Sequence, residues 1–230
     1  MNRYSKITDK IKREIVLLKA FPCVWGKCSF CDYILDNSNN EEEINKVNRE
    51  VLNNITGEFK VLEVINSGSC FEIPKETLKE IKKVINEKGI EELFLESHWC
   101  YKNRIQEMRD FFEIPITFKI GVETFDYNFR NDLLNKNAKF KTIDELKEYF
   151  DSPCIMVGIK GQTRESIAKD IDILLKNFNH GTINVFVDNS TSIKRDNDLV
   201  EWFVKEYKGF LSENDHIEVL YNNTDFGVGD

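Results

Sequence analysis

Three of the six cysteines in the chain, Cys23, Cys28 and Cys31, fall within nine residues at the spacing C-x4-C-x2-C. Thiolates this close on one loop can wrap a soft metal centre but leave it one ligand short. An open coordination position usually means chemistry, whereas a closed zinc site draws a second ligand pair from another C-x2-C or a paired histidine motif. Here Cys70, Cys100 and Cys154 stand singly, and His98, His180 and His216 are scattered. A structural zinc or passive iron–sulfur module, with Cys70 or a histidine folding back as fourth ligand, remains the competing reading.

A disulfide framework fits poorly, because 230 residues can bury a real core. No secretory leader is visible from Met1 to Tyr4, so free thiols in a reducing cytoplasm are expected. A composition of 41% hydrophobic and 31% charged residues suits one globular domain over 1–230, with a core at about 15–210 and an extension at 211–230. No repeat and no run of 18 apolar residues appears, so no membrane span is expected. The net charge of -8 argues against a nucleic-acid polymer as partner and for a small substrate.

The elements that must position the cysteine loop alternate. Residues 1–13 read as a polar lead-in, unordered or helical, and Ile15 to Lys19 as the first strand. Glu41 opens a helix whose acidic start suits its dipole, with Ile44, Val47, Val51 and Ile55 on one face. Strands follow at Val61–Ile65, Glu92–Glu96, Ile116–Val122, Cys154–Val157 and Thr182–Val187. Between them lie helices from Pro74 to Gly89, Arg104 to Phe112, Phe125 to Leu134 with Ile143 to Phe150, and one capped by Thr163. Leu199 to Tyr207 is a last helix, and Ile217 to Tyr221 offers a further short strand. Six strands alternating with helices require right-handed parallel crossovers. The expected fold is therefore α/β, a partial (β/α)6 TIM-like barrel with the cysteine loop after its first strand, and its active site at the carboxyl ends of the strands.

Together these residues resemble a radical S-adenosylmethionine enzyme, over about Ile15 to Ser190. In that superfamily three cysteines hold a [4Fe-4S] cluster, usually at C-x3-C-x2-C, and S-adenosylmethionine completes the fourth iron; this chain has one residue more between Cys23 and Cys28. The resemblance implies that Phe30 meets the adenine through its backbone and that Ser67, Gly68 and Ser69 receive the methionine amino group. Gly121-Val122-Glu123-Thr124-Phe125 followed by Leu134-Asn135-Lys136 is similar to the Gly-Val-Gln-Ser-Phe and Ile-Asn-Arg pattern of oxygen-independent coproporphyrinogen oxidases. Glu123 and Lys136 would then face the cofactor's ribose and carboxylate, with Glu96 also reaching it. Gly158-Ile159-Lys160-Gly161-Gln162-Thr163 resembles a turn in the same enzymes, which implicates Met156 and Ile159 beside the adenine; Cys154 replaces a frequent ribose-binding aspartate.

The resemblance implies a 5'-deoxyadenosyl radical that abstracts hydrogen from a small, nucleotide-derived substrate, with electrons from a donor such as flavodoxin or ferredoxin. Asn184, Asp188 and Asn189 are candidates for base or ribose contacts, His98 and Trp99 for stacking or hydrogen bonding, and Lys194 or Arg195 for a phosphate.

Overall fold

The computed structural model describes residues 1–222 together with Phe226 and Val228. Its eight strands form one sheet in chain order: β1 (Tyr4–Ile7), β2 (Arg13–Leu18), β3 (Val61–Asn66), β4 (Glu92–Glu96), β5 (Ile116–Glu123), β6 (Ser152–Val157), β7 (Gly181–Val185) and β8 (Ile217–Leu220). From β2 onward every neighbouring pair is parallel. The sheet curls into a half-barrel, the partial TIM-like barrel expected of the sequence.

Both ends of the sheet add to the six strands. The lead-in is not loose: β1 pairs antiparallel with β2, and the Tyr4 hydroxyl donates to Glu14 Oε1 at 2.7 Å. An uncovered β2 would leave a row of unpaired N–H and C=O groups, which β1 satisfies. At the other end Ile217–Leu220 pairs in parallel with β7.

Six helices cover the outer face: α1 (Glu41–Leu52), α2 (Lys75–Lys88), α3 (Ile105–Phe112), α4 (Ile143–Lys147), α5 (Arg164–Asn177) and α6 (Asn197–Ser212). Four of the starts are side-chain capped, with Asn40, Thr142, Thr163 and Asp196 each accepting a first-turn N–H. Gly89, at φ 62°, closes α2 in the left-handed region. Outward residues such as Val16, Leu18, Leu62, Val64, Leu93, Leu95, Phe118 and Ile120 join helix side chains in the main core. Alternate residues therefore point into the barrel, and there the lining is polar: Arg13, Glu63, Lys119, Thr182 and Glu218 are all buried.

The helix expected over Phe125–Leu134 shrinks to one π-helical turn at Phe129–Leu133. Arg130 is the reason. Its buried guanidinium donates to the carbonyls of Thr124, Ala138 and Phe140 at 2.8, 2.8 and 2.9 Å, drawing the chain into a tight loop instead of a rod. Asn135 and Asn137 take positive φ within that loop, on either side of Lys136.

Candidate active site

The cysteine loop leaves β2 at the carboxyl edge of the sheet and is tied to three neighbouring strand ends. On the β3 side, the Phe21 N–H donates to the Glu72 carbonyl at 3.0 Å, and the Val24 N–H to Glu72 Oε1 at 2.9 Å. Glu72 is itself fixed by the capping box it forms with Ser69 and by the Tyr101 hydroxyl at 3.1 Å. On the β5 side, Trp25 Nε1 donates to the Asn135 carbonyl, Asn135 Nδ2 returns to the Lys27 carbonyl, both at 2.7 Å, and the Ser29 N–H reaches Leu134 O at 2.9 Å. From beyond β7, Asn189 Nδ2 donates to the Phe30 carbonyl at 2.7 Å. A loop without secondary structure is thereby tied to the barrel on three sides.

Cys23, Cys28 and Cys31 all face one cavity of about 620 Å³, within the usual range of ligand sites. Gly68 approaches so near that a Cβ there would lie 3.4 Å from Cys23 Cβ. Burial pushes the Cys28 thiol up to about 12 and raises Cys31 as well, so loading with iron has to release protons. Among the described residues no three His, Cys, Asp or Glu side chains converge closely enough for a single metal ion. A cluster that takes one iron per cysteine spans a wider triangle, and three desolvated thiols on one loop fit such a centre.

Opposite the thiols, Glu123 sits at the bulged end of β5, its φ of 64° turning the carboxylate inward. Glu123 Oε1 meets Lys136 Nζ at 2.6 Å. Burial alone would lower the lysine, but Glu123 outweighs it and holds the ammonium charged. Lys136 also lies 5.4 Å from the Phe30 ring centroid. Glu96 faces the same space, its carboxyl raised by burial and only partly relieved by Lys136 and Lys119. A cation and two carboxylates facing three thiols across one cavity suit a zwitterionic cofactor with a ribose.

Of the residues expected at the site, Phe30, Ser67, Gly68, Glu96, His98, Glu123, Lys136, Met156, Asn184 and Asn189 line this cavity with the three cysteines. Five others do not. Ser69 is fully buried, spent on the cap of its own turn and on Ser97 Oγ. Ile159 packs with Leu134, Met156 and Phe186 behind the wall. Trp99 is a core residue, packed edge-on against Tyr149 and tilted against Phe140 and Phe150. Asp188 accepts the Arg195 N–H at 2.8 Å, and Arg195 spends its guanidinium on the Phe186 carbonyl and Asn197. Lys194 likewise binds the Thr191 carbonyl, so this loop presents no assembled phosphate site.

Two lining residues serve the scaffold. His98 Nδ1 accepts the Cys100 N–H at 3.2 Å, which leaves Nε2 to donate to the Lys136 carbonyl at 2.8 Å. Asn189 uses its amide on Phe30 and on Thr191. Asn184 differs, because its Oδ1 is buried without a hydrogen-bond partner among the described residues.

Sequence reasoning passed over Glu63, Lys119 and Thr182, which line the deeper half of the cavity. A signal was present. Parallel strands buried on both faces read as apolar runs, yet Glu63 interrupts Val61–Ile65 and Lys119 interrupts Ile116–Val122 at inward positions.

A parallel half-barrel carrying a three-cysteine loop at the end of its first parallel strand, with the thiols facing a polar cavity, defines a radical S-adenosylmethionine enzyme. Across all 230 residues the chain is 57% identical to queuine lyase from Clostridium spiroforme, solved bound to SAM and queuine, covering 100% of both chains at a TM-score of 0.98. The chain belongs to the queuine lyase family. An uncharacterized protein of Methanocaldococcus jannaschii is 26% identical over 144 residues, 54% of this chain, which spans only 39% of that relative. A radical S-adenosylmethionine methyltransferase from Kitasatospora setae, with cobalamin and a [4Fe-4S] cluster bound, is 9% identical over 74% of this chain and 34% of its own, at a TM-score of 0.45. No protein-family model matches the chain.

Proposed function

We propose that this chain is a radical S-adenosylmethionine lyase of queuosine salvage, cleaving the glycosidic bond of queuosine 5'-phosphate, or of queuosine, to release queuine. The full-length likeness to a queuine lyase bound to SAM and queuine carries the reading. In it, Cys23, Cys28 and Cys31 hold the [4Fe-4S] cluster, Lys136 takes the cofactor's carboxylate, Glu123 its ribose, and the Ser67–Gly68 turn its amino group. When bound, the reduced cluster and S-adenosylmethionine supply abstraction of a ribose hydrogen, the chemistry that loosens the bond to the base. The chain's own residues bind, orient and exclude water: the loop closes the mouth while Met156, Phe186 and Ile65 supply apolar wall.

Electrons come in this reading from a small carrier such as flavodoxin or ferredoxin. A net charge of -8 disfavours a nucleic-acid polymer, and among the described residues no helix is long and apolar enough to cross a membrane. Free thiols, six in number, suit a reducing cytoplasm. Reduced, reconstituted protein incubated with queuosine, its 5'-phosphate and an unrelated guanosine nucleotide should release queuine from a queuosine form alone. S-adenosylmethionine cleavage without any queuine would reject the lyase reading.

A further inference from the structure

The turn that aims Glu123 into the cavity is held from outside the barrel. Glu123, at φ 64°, is the middle residue of a γ-turn closed by the Thr124 N–H on the Val122 carbonyl at 2.8 Å. A γ-turn of positive φ is rare and strained, and it persists only where the surroundings over-determine it. Here the next peptide, between Thr124 and Phe125, is gripped at both ends. Its carbonyl accepts from Arg130 Nη1 at 2.8 Å, and its N–H donates to Asp170 Oδ1 at 2.9 Å. Arg130 belongs to the loop that carries Lys136, and Asp170 to α5 on the outer face.

Packing does not account for Asp170. It falls on the stripe that α5 buries, with Ile167, Ile171 and Leu174, and is 3% exposed. Burial raises its carboxyl to about 6, so at neutral pH it is an anion, and Oδ2 has no hydrogen-bond partner among the described residues. One backbone N–H can be satisfied by an uncharged acceptor, and a carboxylate buried for that bond alone leaves a net penalty. The charge makes sense against Arg130. That guanidinium, 1% exposed, turns to carbonyls alone, and Asp170 does more than any other nearby group to offset its burial. A cation on the carbonyl and an anion on the N–H follow the dipole of the peptide between them, so each strengthens the other's hold on its orientation. At the end of the same helix Phe178 stacks on Phe125, with ring centroids 6.2 Å apart.

We propose that Asp170 is a positioning residue of the cofactor site, clamping the Thr124–Phe125 peptide with Arg130 so that the strained turn before it keeps the Glu123 carboxylate beside Lys136 and toward the S-adenosylmethionine ribose. The assignment rests on the reading in which Glu123 meets that ribose. Asp170 lines no part of the cavity and reaches it through one peptide. Without the anion the Thr124–Phe125 plane turns, the γ-turn relaxes to negative φ and the carboxylate swings off the lysine. Lys136 keeps its place, because its N–H donates to the Arg130 carbonyl at 3.0 Å and its carbonyl accepts from His98.

The test measures S-adenosylmethionine affinity of the cluster-loaded protein by calorimetry, together with a crystal structure of each variant. Asp170→Ala should weaken binding by roughly 10- to 30-fold, whereas Asp170→Asn, which keeps an acceptor for the Phe125 N–H, should lose less than about 5-fold. In a Glu123→Ala background Asp170→Ala should cost less than a further factor of about 2, since the residue acts through the glutamate. A merely structural role would carry its full loss into that background. In the Asp170→Ala structure Glu123 should leave the left-handed region and part from Lys136. Asp170→Ser, with a shorter polar arm, takes the place of the alanine variant if that protein does not hold a cluster. Wild-type affinity in the alanine variant, an equal loss in both backgrounds, no rescue by asparagine, or an unmoved Glu123 turn would each overturn the assignment. If Glu123→Ala binds S-adenosylmethionine as wild type does while Asp170→Ala displaces the glutamate, the ribose reading falls and the clamp stands.

Discussion

Glu123 Oε1 and Lys136 Nζ stand 2.6 Å apart directly over Gly121, where a Cβ would come within 2.4 Å of the carboxylate and 2.8 Å of the ammonium. The left-handed backbone at Glu123 makes the arrangement possible, and strain of this kind concentrates at functional sites. The bulge re-aims the glutamate inward, the Arg130 loop brings the lysine back, and the glycine leaves room for both.

Gly121→Ala should therefore separate the pair without touching a cysteine. The expected outcome is S-adenosylmethionine affinity reduced by roughly 10- to 100-fold, as for loss of a buried charge-assisted contact. Iron–sulfur absorbance should be unchanged. Glu123→Ala should do the same and also lower stability by about 3 kcal/mol or more, because Lys136 is left as an unpaired buried charge. Calorimetric titration with S-adenosylmethionine beside a visible spectrum separates cofactor binding from cluster loss.

Glu72 was silent in the sequence, yet it anchors the loop through the Val24 N–H and its capping box with Ser69. Glu72→Ala removes these ties, each worth about 1 kcal/mol or more where the donors stay buried. Cluster occupancy after reconstitution should fall, and the remaining cluster should bleach faster in air. Occupancy equal to wild type by iron and sulfide analysis would show that the loop is held by its β5 and β7 ties alone.

Much of this molecule was legible in its sequence. Strands β2 to β7 declared themselves as apolar runs between helices of matching length, and C-x4-C-x2-C located the mouth of the barrel. What escaped was long-range. Trp99 reads as a strand-end aromatic fit for stacking, but only the packed structure shows Phe140, Tyr149 and Phe150 around it. Asp188 and Arg195 read as ligands because both are polar and near a strand end, whereas they hold their own loop together. Glu63 and Lys119, fifty-six residues apart, meet through the curl of the sheet across β4, a juxtaposition no local pattern encodes.

Arg130 gives a third prediction. Its three carbonyl bonds shape the segment that carries Lys136, and burial lowers the guanidinium to about 10. Arg130→Lys keeps the charge but lacks the planar fork, so it cannot reach all three acceptors. A loss of about 2 to 4 kcal/mol in stability is expected. S-adenosylmethionine binding should weaken as well, because Lys136 loses its fixed position; a variant with lowered denaturation midpoint but unaltered cofactor affinity would show that the loop is positioned by His98 and Trp25 instead.

His98 provides the pH dependence. Burial, with Lys136 beside it, lowers the imidazole to about 4, and the ring is held neutral with Nδ1 accepting from Cys100 and Nε2 donating to the Lys136 carbonyl. A base whose folded pKa lies below its unfolded value of about 6.5 contributes stability that is present above that value. As pH falls from about 6.5 toward 4 the unfolded chain takes up the proton first, and on the order of 3 kcal/mol is lost. Asp170 acts with the opposite sign, since burial raises its carboxyl to about 6 and the folded state gains relative stability on acidification. The measurement is thus the difference between wild type and His98→Gln, which cannot titrate, in urea unfolding at pH 7.5, 6, 5 and 4.5. The variant should be less stable at pH 7.5, having lost the fit of the ring, and the gap should narrow as pH drops. A gap independent of pH would mean that His98 titrates alike in the folded and unfolded chain, and that the tie between β4 and the Lys136 loop is held by other groups.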